Sequence, residues 1–114
     1  MRSGEPVPEF CLVMTTAPTP EAGRELARAL VEAGLAGCVQ LVGIESFYIW
    51  EGESTASPEV LLLVKTRAAR YAEIEAFVGE YHEYEVPELV RLWIDGGSAG
   101  YLSWLSAATG GSAG

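Results

Sequence analysis

A chain of 114 residues has room for one domain and one modest core, which excludes a second catalytic domain unless another chain supplies it. Sixteen Asp and Glu against seven Lys and Arg leave a net charge of -9, a surface that repels nucleic-acid phosphates and anionic membranes and draws cations into its counterion shell. At 49% hydrophobic and 20% charged the composition is that of a folded protein, and scattered glutamates serve solubility as well as any site.

No stretch reaches the roughly 18 apolar residues needed to cross a bilayer, and residues 1–9 (MRSGEPVPE) read as a flexible leader without the apolar core of a secretory signal. A cytoplasmic location is expected. Cys11 and Cys38 sit in apolar surroundings, FCLVM and AGCVQ, where thiols act as small hydrophobes and no disulfide is expected.

In chain order, FCLVMTTA (10–17) reads as a buried strand. Thr19 and Pro20 then offer an N-cap and a first-turn proline to a helix carrying Ala22, Leu26, Ala29, Leu30 and Ala33 on one face, with Gly34 and Gly37 as stops. CVQLVGIESFYIW (38–50) is a long strand with a bulge or bend expected at Gly43. EGESTASP (51–58) is expected to turn the chain, and EVLLLVKT (59–66) to return as the second strand of a hairpin.

A second amphipathic helix follows, with Tyr71, Ile74, Phe77, Val78 and Tyr81 at helical spacing; it must end before Pro87, so His82 lies in or just past its last turn. VPELVRLWI (86–94) is a further strand, DGGSAG a turn, and YLSWLSAA (101–108) a short helix. The domain spans residues 10–107, and the Gly/Ser-rich residues 108–114 read as a flexible tail.

The order β-α-β-β-α-β with a terminal helix predicts an α+β fold, the ferredoxin-like split β-α-β sandwich, with two helices on one face of a sheet. Yet the runs LVM, VLLLV and FYIW are apolar on both strand parities, so both sheet faces need cover. In a chain this small the economical cover is another copy of itself, and a homo-oligomer is expected.

Chemical motifs are sparse. His82 is the one histidine; no HxxxH, HExxH or CxxC occurs, and a site sharing His82 with Glu83, Glu85 or Glu88, or with a second subunit, competes with a structural role at the helix end. Glu51 and Glu53 could do acid/base work or simply form a turn; Cys11, Cys38, Ser46 and Ser103 lack a nucleophile pattern; Gly96, Gly97 and Gly100 form no phosphate loop. Lys65, near the end of an apolar strand, could pair with a carboxylate, receive an anionic ligand, or lie at the surface.

Taken together, TTAP (15–18), AGCVQ (36–40), SFYIWEGE (46–53), EVLLLVKT (59–66), YHEYEVPEL (81–89) and YLSWL (101–105) resemble the CutA family of divalent-cation-tolerance proteins, from about Phe10 to Ser106. The resemblance implies a ferredoxin-like homotrimer, similar in architecture to PII signalling proteins, with strands of one subunit extending onto the next. It implies binding of, or response to, copper or another divalent metal ion, without catalysis. A PII-like sensor taking an organic anion near Lys65, and a purely structural trimer, are the alternatives.

Residue by residue, the resemblance carries over His82 as a candidate metal ligand, to which the residue pattern adds Glu83 and Glu85, and it implies Cys38, Ser46, Tyr48, Trp50, Glu59, Lys65, Tyr84 and Glu88 as an intersubunit ligand cleft. Thr15 stands where some members carry a cysteine proposed to touch copper, and Tyr81–His82 where some carry a His-His pair. His82-Glu83-Tyr84 replaces the usual His-Pro-Tyr, and a proline is missing before Gly43.

Overall fold

A computed structural model describes residues 7–82 and 84–111. Its elements run β1 (Phe10–Ala17), α1 (Pro20–Glu32), β2 (Cys38–Trp50), β3 (Glu53–Arg67), a single 3-10 turn (Ala68–Arg70), α2 (Tyr71–Tyr81), β4 (Leu89–Ile94) and α3 (Ala99–Ala108). The four strands form one sheet in the order β2-β3-β1-β4, with every neighbouring pair antiparallel. This is the β-α-β-β-α-β arrangement expected from the element order.

The first helix starts and stops as its end residues dictate. The Thr19 hydroxyl accepts from the Ala22 N–H at 3.1 Å and Pro20 fills the first turn. At the other end Gly34 takes φ +74, its N–H bonds the Val31 carbonyl and the Leu35 N–H bonds the Leu30 carbonyl, the double closure of a Schellman motif. The buried face is rotated slightly from the expected one: Gly23, Leu26 and Leu30 are buried, whereas Ala33 caps the helix and is exposed. Gly23 sets the approach distance, since a Cβ there would stand 3.2 Å from both Leu41 and Val60.

Strand alternation builds the core. Cys11, Val13 and Ala17 of β1 and Val60, Leu62 and Val64 of β3 point toward α1 and α2, where Leu26, Leu30, Ile74 and Val78 meet them, all fully or nearly fully buried. Arg91 of β4 lays its guanidinium over the rings of Tyr71 (4.6 Å) and Trp93 (4.2 Å), tying the edge strand to the start of α2.

The opposite face is apolar and, within this chain, largely uncovered. In register across the sheet, Leu63, Met14 and Val90 form one row and Lys65, Leu12 and Leu92 the next, with Leu61 and Val42 alongside. Val42, Val90 and Leu92 are 45%, 47% and 47% exposed, so apolar side chains of β2 and β4 stand open to solvent on this face. The two-sided apolar pattern of the sequence thus has its counterpart in the sheet.

The hairpin corrects two expectations. The turn occupies Glu51 and Gly52 alone, with φ of 51 and 79, and β3 begins at Glu53 instead of Glu59. Two consecutive left-handed residues make the tight turn whose twist matches paired strands, so no eight-residue connection is needed. Gly43 produces no bulge: the register runs unbroken from Cys38↔Lys65 to Trp50↔Glu53, with Gly43 opposite Val60. Because β1 ends opposite Val60, the paired residues beyond it stand clear of the other strands as a two-stranded ribbon about 20 Å long, exposing Phe47, Ile49 and Trp50.

Two boundaries also move. The fourth strand starts at Leu89, not Val86, because pairing with β1 begins at Thr15↔Leu89 and Val86 is left in solvent. The ordered chain continues past residue 108: Thr109 is fully buried, its carbonyl accepting from Arg67 Nη2 (2.5 Å) and Arg70 Nε (2.9 Å), which caps α3 electrostatically. The rest of the expected tail, from Ser112, and the leader as far as Pro6 lie outside the described residues.

Candidate functional site

The residues singled out in YHEYEVPEL form the connection from α2 to β4, which crosses the end of β1. His82 terminates α2, its N–H bonding the Val78 carbonyl at 2.9 Å while its backbone turns extended. Its ring reaches back to β1, where Nε2–H donates to the Thr16 carbonyl, and Nδ1 accepts the Tyr84 N–H at 3.0 Å. A backbone N–H can only donate and a carbonyl only accept, so the neutral ring carries its proton on Nε2.

Tyr84 lies beside that ring, centroids 4.7 Å apart, and its hydroxyl donates to Glu59 Oε2 at 3.1 Å. Thr15 Oγ1 donates to the Glu88 carbonyl at 2.6 Å where the loop enters β4. Side-chain bonds to β1 and β3 thus hold both ends of the segment. Next to it a shallow crevice of about 50 Å³ is lined by Ala17, Pro18, Ala22, Glu25, Leu26, Tyr81 and His82.

Strand parity sorts the expected cleft. Cys38, Ser46, Tyr48 and Trp50 share one side of β2, and Glu59 and Lys65 share that same side of β3, the side that carries the uncovered apolar rows. Cys38 and Lys65 are direct cross-strand partners, and Lys65 Nζ lies 5.7 Å from the centroid of the Tyr101 ring on α3. Glu59 is opposite Ile44, next but one to Ser46, and Tyr48 Oη shares a hydrogen bond with Ser57 Oγ at 3.1 Å.

Twelve residues of extended strand between Cys38 and Trp50 span about 40 Å. One chain therefore joins Glu59 to Tyr84 and Cys38 to Lys65, but does not gather both groups into one cleft. Of the candidate ligands, Glu85 is exposed and Glu83 lies outside the described residues. Among the described residues no group of three His, Cys, Asp or Glu is placed to hold a metal ion.

Residues 11–108 match the family described as CutA1 divalent ion tolerance protein. The chain belongs to the CutA1 family. It is 44% identical over 100 residues to the divalent-cation tolerance protein CutA of Thermus thermophilus, covering 87% of this chain and 97% of that one. It is 44% identical over 108 residues to the chloroplastic CutA of Arabidopsis thaliana, covering 94% of this chain but 59% of the relative. The chain thus spans little more than half the length of such plant relatives.

Solved CutA structures superpose closely: CutA1 of Shewanella sp. SIB1 with a TM-score of 0.89 at 39% identity, covering 92% of this chain and 99% of that one, and the Thermus thermophilus protein with 0.85 at 43%, covering 89% and 99%. Among the described residues no helix is long and apolar enough to cross a membrane.

Within this CutA1-family fold the site also uses groups that no sequence pattern reveals. The Thr16 carbonyl is the acceptor that fixes His82, and Tyr101, 36 residues after Lys65, is the ring beneath its ammonium. A backbone acceptor leaves no trace in side-chain identity, and the Lys65–Tyr101 contact depends on how α3 folds back onto β3.

Both cysteines are free thiols, Cys11 fully buried on the helix side and Cys38 half-buried on the other. Burial pushes the Cys11 thiol above its ordinary value of 9.0, the Arg91 charge pulling more weakly the other way. With the folded value raised, the stability that the protonated thiol contributes is fully present below the pKa of the unfolded thiol and is lost as pH rises through the folded one. Denaturant unfolding at pH 7 and pH 10 checks this: the wild type is expected to lose more stability between the two than Cys11→Ala, and equal losses would contradict it.

Proposed function

We propose that this chain is a non-catalytic divalent-cation response protein that works as a homotrimer, with copper-type ions or a cation of similar coordination taken up in clefts where subunits meet. The observation that carries the reading is the shared face: Cys38, Ser46, Tyr48, Trp50, Glu59 and Lys65 all stand on the sheet side whose apolar rows are largely uncovered within the chain. Whatever packs on Leu12, Met14, Leu61 and Leu63 also meets those polar groups, so residues that one chain keeps apart are brought near those of another. The projecting ribbon with Phe47, Ile49 and Trp50 supplies a second apolar surface for the same assembly.

The net charge of -9 favours cations in the neighbourhood of such clefts, and imidazole, carboxylate and thiol groups suit copper and zinc. Family membership supports the same direction, since the Thermus relative bears the name divalent-cation tolerance protein.

Titration of the assembled protein with Zn²⁺ and with Cu²⁺, read by tryptophan fluorescence and melting temperature, tests the reading. Trp50 and Trp104 are 63% and 49% exposed and report on the ribbon and on α3. A saturable signal with a raised melting temperature is expected, because a ligand bound only by the native state stabilises it by about 2.7 kcal/mol at a hundredfold excess over Kd. No saturable change with either ion would contradict it.

A further inference from the structure

Both nitrogens of the one imidazole in the chain are already committed. Nε2–H is given to the Thr16 carbonyl at the end of β1, and the Nδ1 lone pair takes the Tyr84 N–H at 3.0 Å. A metal ion binds imidazole through a nitrogen lone pair. In this geometry the Nδ1 pair is in use and Nε2 offers none, so the ring as placed has nothing to give a cation.

We infer that His82 is a positioning residue, a neutral clasp that pins the start of the α2–β4 connection to β1 and sets Tyr84 against Glu59, and that a cation reaches the ring only by undoing the clasp. A cation at Nδ1 displaces the Tyr84 N–H. A cation at Nε2 requires the other tautomer: the proton passes by way of solvent from Nε2 to Nδ1, which breaks the bond to Thr16 and leaves Nδ1 no lone pair for the Tyr84 N–H. Either event releases the backbone that carries Tyr84, whose hydroxyl is bonded to Glu59 at 3.1 Å on the uncovered sheet face. Cation capture and the state of that face are thereby linked.

The clasp stands on geometry alone, and only its consequence for cations rests on the proposed function; the two separate in one experiment. Because the chain has a single histidine, ¹⁵N-labelled imidazole gives two unambiguous resonances. Without metal, the expected pattern is a proton on Nε2 and Nδ1 acting as acceptor, with exchange of the Tyr84 amide accelerated about tenfold in His82→Ala, the scale of one lost hydrogen bond. A proton on Nδ1, or equal Tyr84 exchange in a folded His82→Ala, overturns the clasp. The tautomer reading needs only the wild type, so it decides even where the variant does not fold.

Zn²⁺, which is diamagnetic, is then added to the wild type. If an imidazole resonance moves to a metal-bound position, the Tyr84 amide is expected to lose its protection in step, and retained protection overturns the coupling. If zinc binds without moving either ring resonance, the clasp holds against cations and the ion sits elsewhere, which overturns His82 as a ligand. If no zinc binds and the Cu²⁺ titration is equally flat, the proposed function fails and the clasp is upheld by its tautomer.

Discussion

Leu63→Asp is expected to dissociate the assembly while leaving the domain folded. Leu63 stands between Gln40 of β2 and Met14 of β1 on the sheet side opposite α1 and α2, in the row that ends in Val90 and next to Leu61. Covering a leucine there is worth about 1.5–3 kcal/mol per copy, and a carboxylate buried without a partner costs several kcal/mol more. At about 1.4 kcal/mol per factor of ten, association weakens by at least two to three orders of magnitude. In the separated chain the aspartate faces water, so helical content by circular dichroism is expected to persist. Sedimentation checks the outcome, and a variant that stays assembled at micromolar concentration would place the interface elsewhere.

Leu62→Ala, one residue away, is expected to do the reverse and weaken the fold itself. Leu62 is fully buried, flanked in the sheet by Thr15 and Leu41 and part of the cluster with Leu26, Leu30, Ile74 and Val78. Truncating a buried leucine removes its transfer energy and leaves a cavity, about 2–5 kcal/mol together. For a domain of this size that is a large fraction of the total stability. Urea unfolding measures it, and a loss under 1 kcal/mol would show that Leu62 is not in the core. The two substitutions separate folding from assembly along a single strand, because neighbouring residues of β3 point to opposite sides.

The sequence carried the element order well because its signals were local. Thr19-Pro20 and Gly34 mark the ends of α1 by capping chemistry that acts within a few residues, and the structure uses both. Apolar residues on both parities of β1 and β3 were equally legible as two apolar faces, of which α1 and α2 cover one. The hairpin was misjudged for a related reason: EGESTASP has the composition of a loop, but only Glu51 and Gly52 adopt left-handed angles, and the Ser and Thr residues after them are strand because β2 offers a partner for each. Strand pairing overrode local preference. Gly43 likewise suggested a bulge that the unbroken register does not contain.

At the site, the loop was found from its residue types, which left His82 between a ligand and a structural role at the helix end. The ring's bonds to the Thr16 carbonyl and the Tyr84 N–H could not be read there, since neither depends on a side-chain identity. The scatter of Cys38, Ser46, Tyr48, Trp50, Glu59 and Lys65 along two strands became meaningful only through the register, which sets all six on one side.

The central claim is that copies of this chain cover one another's bare sheet face. Sedimentation equilibrium of the wild type at micromolar concentration tests it most directly. A single species of three times the 12.2 kDa chain mass is the predicted result, and a stable species of 12.2 kDa would contradict the account.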